Sequence, residues 1–276
     1  MMFDGGLMDI SKYVKLLAMA GKNSRHLFCT NCGTETLSLS APGICSWCEL
    51  PVTFSYDDLS ADDVSFPSAF RSLLQAGNCA GAVELSENAV AKSPTPERFY
   101  INALAYISSS NKEVSLITYN LKGFMEENIP HRDASAKMFS SAKLKLNKAI
   151  SICEAEISNG SASISTIYLL FLLYVKSGKV RPAEKSLEKL KEMKGGALYY
   201  YARTVFYSMI GDFGGVLSSS SESAGSENIP LATIHYIILA LFKNGHYSNA
   251  KILSGEFLKY VDSDSSKYLQ TEIGPI

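Results

Sequence analysis

The spacing of apolar positions divides the chain into a short front part and a long helical remainder. In "GLMDISKYVKLLAMAGK", Leu7, Ile10, Val14 and Leu17 fall on one helical face while Lys12 and Lys15 lie off it. This predicts an amphipathic helix within residues 1–24, packed on its own protein or docked on a partner or a membrane surface. The period then changes. Thr36, Leu37, Ser38, Leu39 and Ser40 alternate as a strand does, and Pro42 with Gly43 supplies a turn, which predicts one short hairpin between Gly33 and Gly43 within a small β unit at residues 25–56. Helical spacing returns at 64 and continues to 262. The runs "TIYLLFLLYV" (166–175) and "IPLATIHYIILALF" (229–242) are the most apolar of the chain. Both are shorter than the roughly 20 residues that cross a bilayer, which predicts buried helices and no membrane span.

Turns punctuate the helical part at nearly constant intervals. They fall at Gly77, Asn111, Gly178, Gly211 and Gly245, with separations of 34 (111 minus 77), 67 (178 minus 111), 33 (211 minus 178) and 34 (245 minus 211). The longer gap has room for one unmarked turn near Ala142–Lys145. Five residues after the glycine turns stand Ala82, Ala183, Val216 and Ala250, and Ala89 and Pro94 complete the first unit. After Val216 the Gly211 unit runs into "SSSSESAGSEN", which predicts a short second helix.

A period of 34 with two helices per unit resembles the tetratricopeptide repeat, over residues 64–262. The resemblance implies a mainly α fold, a right-handed solenoid of helical hairpins, with the β unit at its N-terminal end. Other paired-helix solenoids share the pattern. No single pair can bury its apolar face alone, so neighbouring pairs stack into a continuous core. If the first helix of each pair lines an inner face, as in the family, Ile101, Tyr168, Tyr201 and His235, ten residues before their turns, form a column there, with Arg98 and Tyr200 nearby. Arg98, Tyr168, Tyr201 and His235 are thus candidates for a partner-binding groove. The alternative is that the tyrosines pack between helices. The column lacks the repeated Lys and Asn with which related repeats grip a peptide carboxylate terminus.

Four cysteines refine the β unit. Cys29, Cys32, Cys45 and Cys48 form C-x2-C-x12-C-x2-C. Each C-x2-C knuckle turns two thiolates toward one ion, and two knuckles complete a tetrahedral sulfur shell. With Gly33 after the second cysteine, the segment resembles a zinc ribbon, in which Zn2+ would be structural because four protein ligands leave no position for water or substrate. Glu49 stands after the last cysteine, where the first knuckle has glycine. Iron in a rubredoxin-like site, or disulfides in an oxidising compartment, are the competing assignments. Trp47, Phe28 and Phe54 either pack the ribbon or offer an apolar contact surface, on which Trp47 is the leading partner-binding candidate.

Charge limits the functions open to the chain. Basic and acidic residues nearly balance, 26 against 27. Within 25–56 Arg25 is the one formally charged base, and "DDLSADD" adds carboxylates in an acidic linker at 57–63. Direct nucleic-acid binding is therefore disfavoured. The front of the chain lacks a basic start and an unbroken apolar core, so a secretory signal is not expected. Cys79 and Cys153 stand singly in helical patterns, which together with the thiolate site predicts a cytoplasmic protein. No phosphate loop or nucleophile elbow occurs, the histidines are scattered, and "HRD" at 131–133 marks a helix start. The expected function is a non-catalytic protein-interaction scaffold. The alternatives are an accessory factor of a transcription, translation or RNA-processing machine that docks through the ribbon, and an enzyme with a site in the helical groove. Residues 263–276 form a tail.

Overall fold

The computed structural model describes residues 9–23, 25–38, 42–110, 132–223, 230 and 232–259. The chain is mainly α, with a small β region near the N-terminus made of two separate hairpins. Helix α1 is Ser11–Asn23. Strand β1 (Arg25–Phe28) pairs antiparallel with β2 (Glu35–Ser38), and β3 (Gly43–Ile44) pairs antiparallel with β4 (Pro51–Val52), so the single hairpin expected to turn at Pro42–Gly43 is replaced by two hairpins, with Gly43 inside a strand. A 3-10 turn at Tyr56–Asp58 leads into α2 (Ala61–Gln75). Then follow α3 (Cys79–Lys92), α4 (Pro96–Ser110), α5 (Arg132–Ser158), α6 (Ile164–Lys176), α7 (Val180–Glu192), α8 (Gly196–Met209), α9 (Phe213–Ser223), α10 (Ala232–Lys243) and α11 (Tyr247–Phe257).

Consecutive helices pack as pairs, α2 with α3, α4 with α5, α6 with α7, α8 with α9 and α10 with α11, and each pair packs on the next. The glycine turns between paired helices share one geometry. Gly77, Gly178, Gly211 and Gly245 have φ of +69°, +67°, +75° and +81°, the left-handed conformation that glycine adopts without a Cβ penalty. The residue after each glycine donates its N–H back to the last helical turn: Asn78 to Leu73, Lys179 to Tyr174, Asp212 to Tyr207 and His246 to Leu241. This is the Schellman closure that satisfies orphan carbonyls at a helix end. Two of these residues also open the next helix, Asn78 accepting from the Gly81 N–H and Asp212 from that of Gly215. Ala82, Ala183, Val216 and Ala250, five residues after the glycines, are all buried where the second helix meets the first.

Two expectations change. No turn occurs at Ala142–Lys145, because α5 runs unbroken from Arg132 to Ser158. Neither glycine nor proline interrupts this stretch, and Ala142, Leu146, Ala149 and Cys153 carry one buried face through it. The gap of 67 thus holds the long helix α5 where the unmarked turn was expected. The turn at Asn111 lies outside the described residues, as do Leu7, His131, residues 224–229 and the tail at 263–276. The acidic stretch 57–63 is short-range structure rather than open linker: Ser60 and Asp63 form a capping box that starts α2 at Ala61, three residues before the expected 64. The second helix of the Gly211 unit, α9, has 11 residues.

Helix α1 does not stand apart. Tyr13 and Leu17 are buried with Ile234, Ile237 and Leu241 of α10 and Leu253 and Phe257 of α11. The Tyr13 hydroxyl is hydrogen-bonded to Ser220 of α9 at 2.8 Å, and Lys12 donates to Ser221 at 3.0 Å. Ile10 and Val14 flank this contact. The start of the chain thus covers the last helical pairs, and the β region that follows lies against earlier ones.

Candidate metal centre

The two C-x2-C segments fold alike. In the first, Gly33 N–H donates to the Cys29 carbonyl at 2.8 Å and Cys29 N–H to the Thr34 carbonyl at 3.0 Å. In the second, Glu49 N–H donates to Cys45 at 3.1 Å and Cys45 N–H to Leu50 at 2.9 Å. Each knuckle forms the turn that joins the two strands of one hairpin, and the two together present four sulfurs to a common centre. The four Sγ atoms lie within 4.8 Å of one another, all buried, with Cys29 to Cys48 and Cys32 to Cys45 at 3.5 Å. Ligands about 2.3 Å from a tetrahedral ion stand close to such separations, so the cluster could hold one metal ion. None of the six cysteines is in a disulfide.

The donor set itself favours a cation. The Cys29 thiol is pushed well above the ordinary thiol range by its hydrogen bonds with Cys32 and Cys45, and burial first, then the neighbouring thiols, push Cys48 the same way. Against its own burial, Cys45 is pulled well below that range by hydrogen bonds from the other three cysteines and from the Cys48 N–H. Sulfurs this close share negative charge badly, and an ion between them removes the conflict. The Trp47 and Cys48 N–H groups point at Cys45 Sγ, at 3.4 and 3.5 Å. These donors would also support a metal-bound thiolate.

The second knuckle carries an unusual residue. Glu49 has φ +63°, where the first knuckle has Gly33 at +75°. A non-glycine residue pays roughly 1–2 kcal/mol for this conformation. Glu49 holds it while its backbone carbonyl accepts from the Tyr168 hydroxyl at 2.7 Å and its Oε1 accepts from Lys176 Nζ at 2.7 Å. Carboxylate and ammonium are both almost completely buried, 1% and 4% exposed as side chains. Burial pushes the Glu49 carboxyl up, and Lys176 pulls it back. Both partners of Glu49 come from one side of α6, about two turns apart, so the knuckle is bolted to that helix.

Further contacts extend the joint. Trp47 meets Phe70 of α2 edge-on at 5.7 Å, and Phe70 stacks on Phe66 at 5.8 Å. Gly33 passes so close to α2 that an added Cβ would lie 2.1 Å from the Pro67 carbonyl oxygen. Leu27, Ile44, Leu50, Val52 and the four cysteines share one core with Tyr100 and Ile101 of α4, Tyr168 of α6 and Tyr201 of α8. Burial, with the Glu49 charge next, raises the hydroxyl pKa values of Tyr100, Tyr168 and Tyr201 well above the tyrosine range. The β region is thus seated on the first helices of several pairs.

This seating decides the places of the candidate partner-binding residues. Tyr168, Tyr201 and His235, like Ile101, are buried. They line no open groove: Ile101, Tyr168 and Tyr201 share one core with the β region, and His235 is buried against Tyr236. Trp47 is half-buried on Phe70. Arg98, also half-buried, lays its guanidinium 4.1 Å from the centre of the Phe66 ring and so braces α4 on α2. Tyr200 is half-buried beside Tyr199. The site residues that periodicity missed are Glu49, Lys176, Tyr100 and Phe70. Sequence signals existed for the first two, an acid where a knuckle takes glycine and a lysine closing the apolar run of α6, and none for Tyr100 and Phe70.

His235 supplies a pH-dependent test of this packing. Burial lowers its pKa from 6.5 to about 4, and its ring stands edge-on to Tyr236 at 5.6 Å. The unfolded imidazole takes a proton below pH 6.5, whereas the folded one stays neutral until about pH 4. Its contribution is therefore complete above pH 6.5 and lost as the pH falls toward 4, by up to about 3 kcal/mol. Urea melts between pH 7 and 4 are expected to show this slope in the intact chain and a flatter one in His235→Phe. Equal slopes would show that His235 is not the titrating group.

No helix among the described residues is long and apolar enough to cross a membrane. Compared with protein-family models, with curated proteins and with solved structures, the chain matches none.

Proposed function

We propose that this chain is a non-catalytic protein-interaction scaffold: a right-handed, tetratricopeptide-like solenoid of helical hairpins whose N-terminal unit is a structural zinc ribbon. The observation that carries this reading is the closed sulfur cluster fastened through Glu49 to Tyr168 and Lys176. Four thiolates satisfy a zinc ion completely, so the metal organises the chain and performs no chemistry on a substrate. The shared left-handed glycine turns and the small residues five positions later support the repeat assignment. Free thiols throughout support a reducing, cytoplasmic setting.

With the ribbon side of the first helices covered from within the chain, partners are left the outer helical surfaces. Zinc ribbons that grip nucleic acid need bases, and this one offers Arg25 and is seated on its own helices. The scaffold reading is tested by affinity purification of the intact chain and of Cys45→Ser from cells, with mass spectrometry of the captured proteins. A discrete partner set that the intact chain keeps and Cys45→Ser loses is expected. A set no different from that of an unrelated bait would overturn the reading.

A further inference from the structure

Away from the ribbon, α5, α6 and α7 enclose an open cleft of about 660 Å³. Its floor is apolar: Ile157 of α5, Ile167, Leu170 and Tyr174 of α6, and Pro182 of α7. One wall is a row of cations, Arg181, Lys185 and Lys189, spaced four residues apart on α7. The acids of the same helix, Glu184, Glu188 and Glu192, do not line the cleft. Helix α7 thus sorts its charges, bases toward the cleft and acids beside it. The one acid lining the cleft, Glu154, accepts the Tyr174 hydroxyl at 2.6 Å. Among the described residues no ion pair engages Arg181, Lys185 or Lys189.

A row of cations over an apolar floor is an incomplete interface. From these features we infer that the α5–α6–α7 cleft receives an acidic amphipathic helix of a partner protein. Four-residue steps along α7 repeat at about 6 Å, and carboxylates at i, i+4 and i+8 of a facing helix repeat at the same interval. Apolar side chains between them would fill the floor, the usual arrangement when a helix lies in a groove. A phosphate polymer fits less well. It has no apolar side chains with which to cover Ile157, Ile167, Leu170 and Pro182. The inference rests on the scaffold reading and names the surface and the chemistry of its partner.

The test uses the full chain and a fluorescent helical peptide of about 14 residues, four turns, with glutamates at i, i+4 and i+8 and leucines on the adjoining face. Controls are a scrambled peptide of the same composition, polyglutamate of the same length and a single-stranded oligonucleotide of equal charge. Binding to the patterned peptide is expected to be at least about tenfold tighter than to any control, since both charge and apolar burial contribute. Arg181→Glu with Lys185→Glu and Lys189→Glu is expected to weaken it at least about tenfold. So is Ser158→Phe, which places a ring in the cleft from an exposed position. Circular dichroism and melting temperature of these variants, unchanged, would assign the loss to the surface. Equal binding of the scrambled peptide or polyglutamate, tighter binding of the oligonucleotide, or intact binding by the variants would overturn the proposal. A cellular partner set that survives the triple charge reversal would reject the cleft and leave the scaffold reading standing.

Discussion

Removing the metal from the purified chain is expected to lower its melting temperature by at least about 10 °C, because the lost contribution runs to several kcal/mol in a chain of this size. The β region has strands of four and two residues, too small to hold a core without a staple. Its cysteines share one buried cluster with α4, α6 and α8. Opening the cluster therefore uncovers Tyr100, Tyr168 and Tyr201 as well as the ribbon. Elemental analysis is expected to find about one zinc per chain, near-UV circular dichroism to change on chelation, and added zinc to restore it. Cys48→Ser is expected to reproduce the loss. Cys153→Ser, at a buried thiol whose pKa burial pushes up to about 12, keeps the metal. Absence of stoichiometric metal, or a chelated protein that melts like the original, would show that the thiols stabilise the chain without an ion.

Glu49→Ala is expected to cost about 3–5 kcal/mol, because it leaves the Lys176 ammonium buried without its carboxylate. The reverse truncation, Lys176→Ala, strands the carboxylate and should cost a similar amount. Combining the two, Glu49→Ala with Lys176→Ala, should cost clearly less than the two single losses together, since no charge is then left alone in the core. Urea melts of the four proteins complete the cycle. A further variant separates backbone from side chain: Glu49→Gly relieves the φ of +63° but deletes the carboxylate. It is expected to recover about 1 kcal/mol relative to Glu49→Ala. Additive losses in the cycle would mean that Glu49 and Lys176 contribute separately, and that the ribbon is held mainly by its apolar contacts.

Much of the local architecture was legible in the sequence. The cysteine spacing marked both knuckles, because two thiolates three residues apart in a tight turn converge on one point. The turn glycines marked four helix ends, because a left-handed residue there is a local requirement that only glycine meets cheaply. Errors arose where local signals stop. The long α5 carries no turn residue that would mark its course, and an even spacing invited a turn at Ala142–Lys145 that the helix does not make. The column Tyr168, Tyr201 and His235 was placed correctly on the first helices, but spacing along a helix does not reveal what covers the face it identifies.

That cover was decided by contacts between distant parts of the chain. Lys176 and Glu49 are 127 residues apart, and Tyr13 and Ser220 are 207 apart. Periodicity reports which residues share a face within one element, whereas the seating of one element on another depends on shape and charge summed over both. The sequence by itself determined a four-thiolate β unit followed by helical hairpins turned on glycine. Only the tertiary structure decided that the β unit and α1 lie across those hairpins, because that arrangement buries Glu49 with Lys176 and the tyrosines at once.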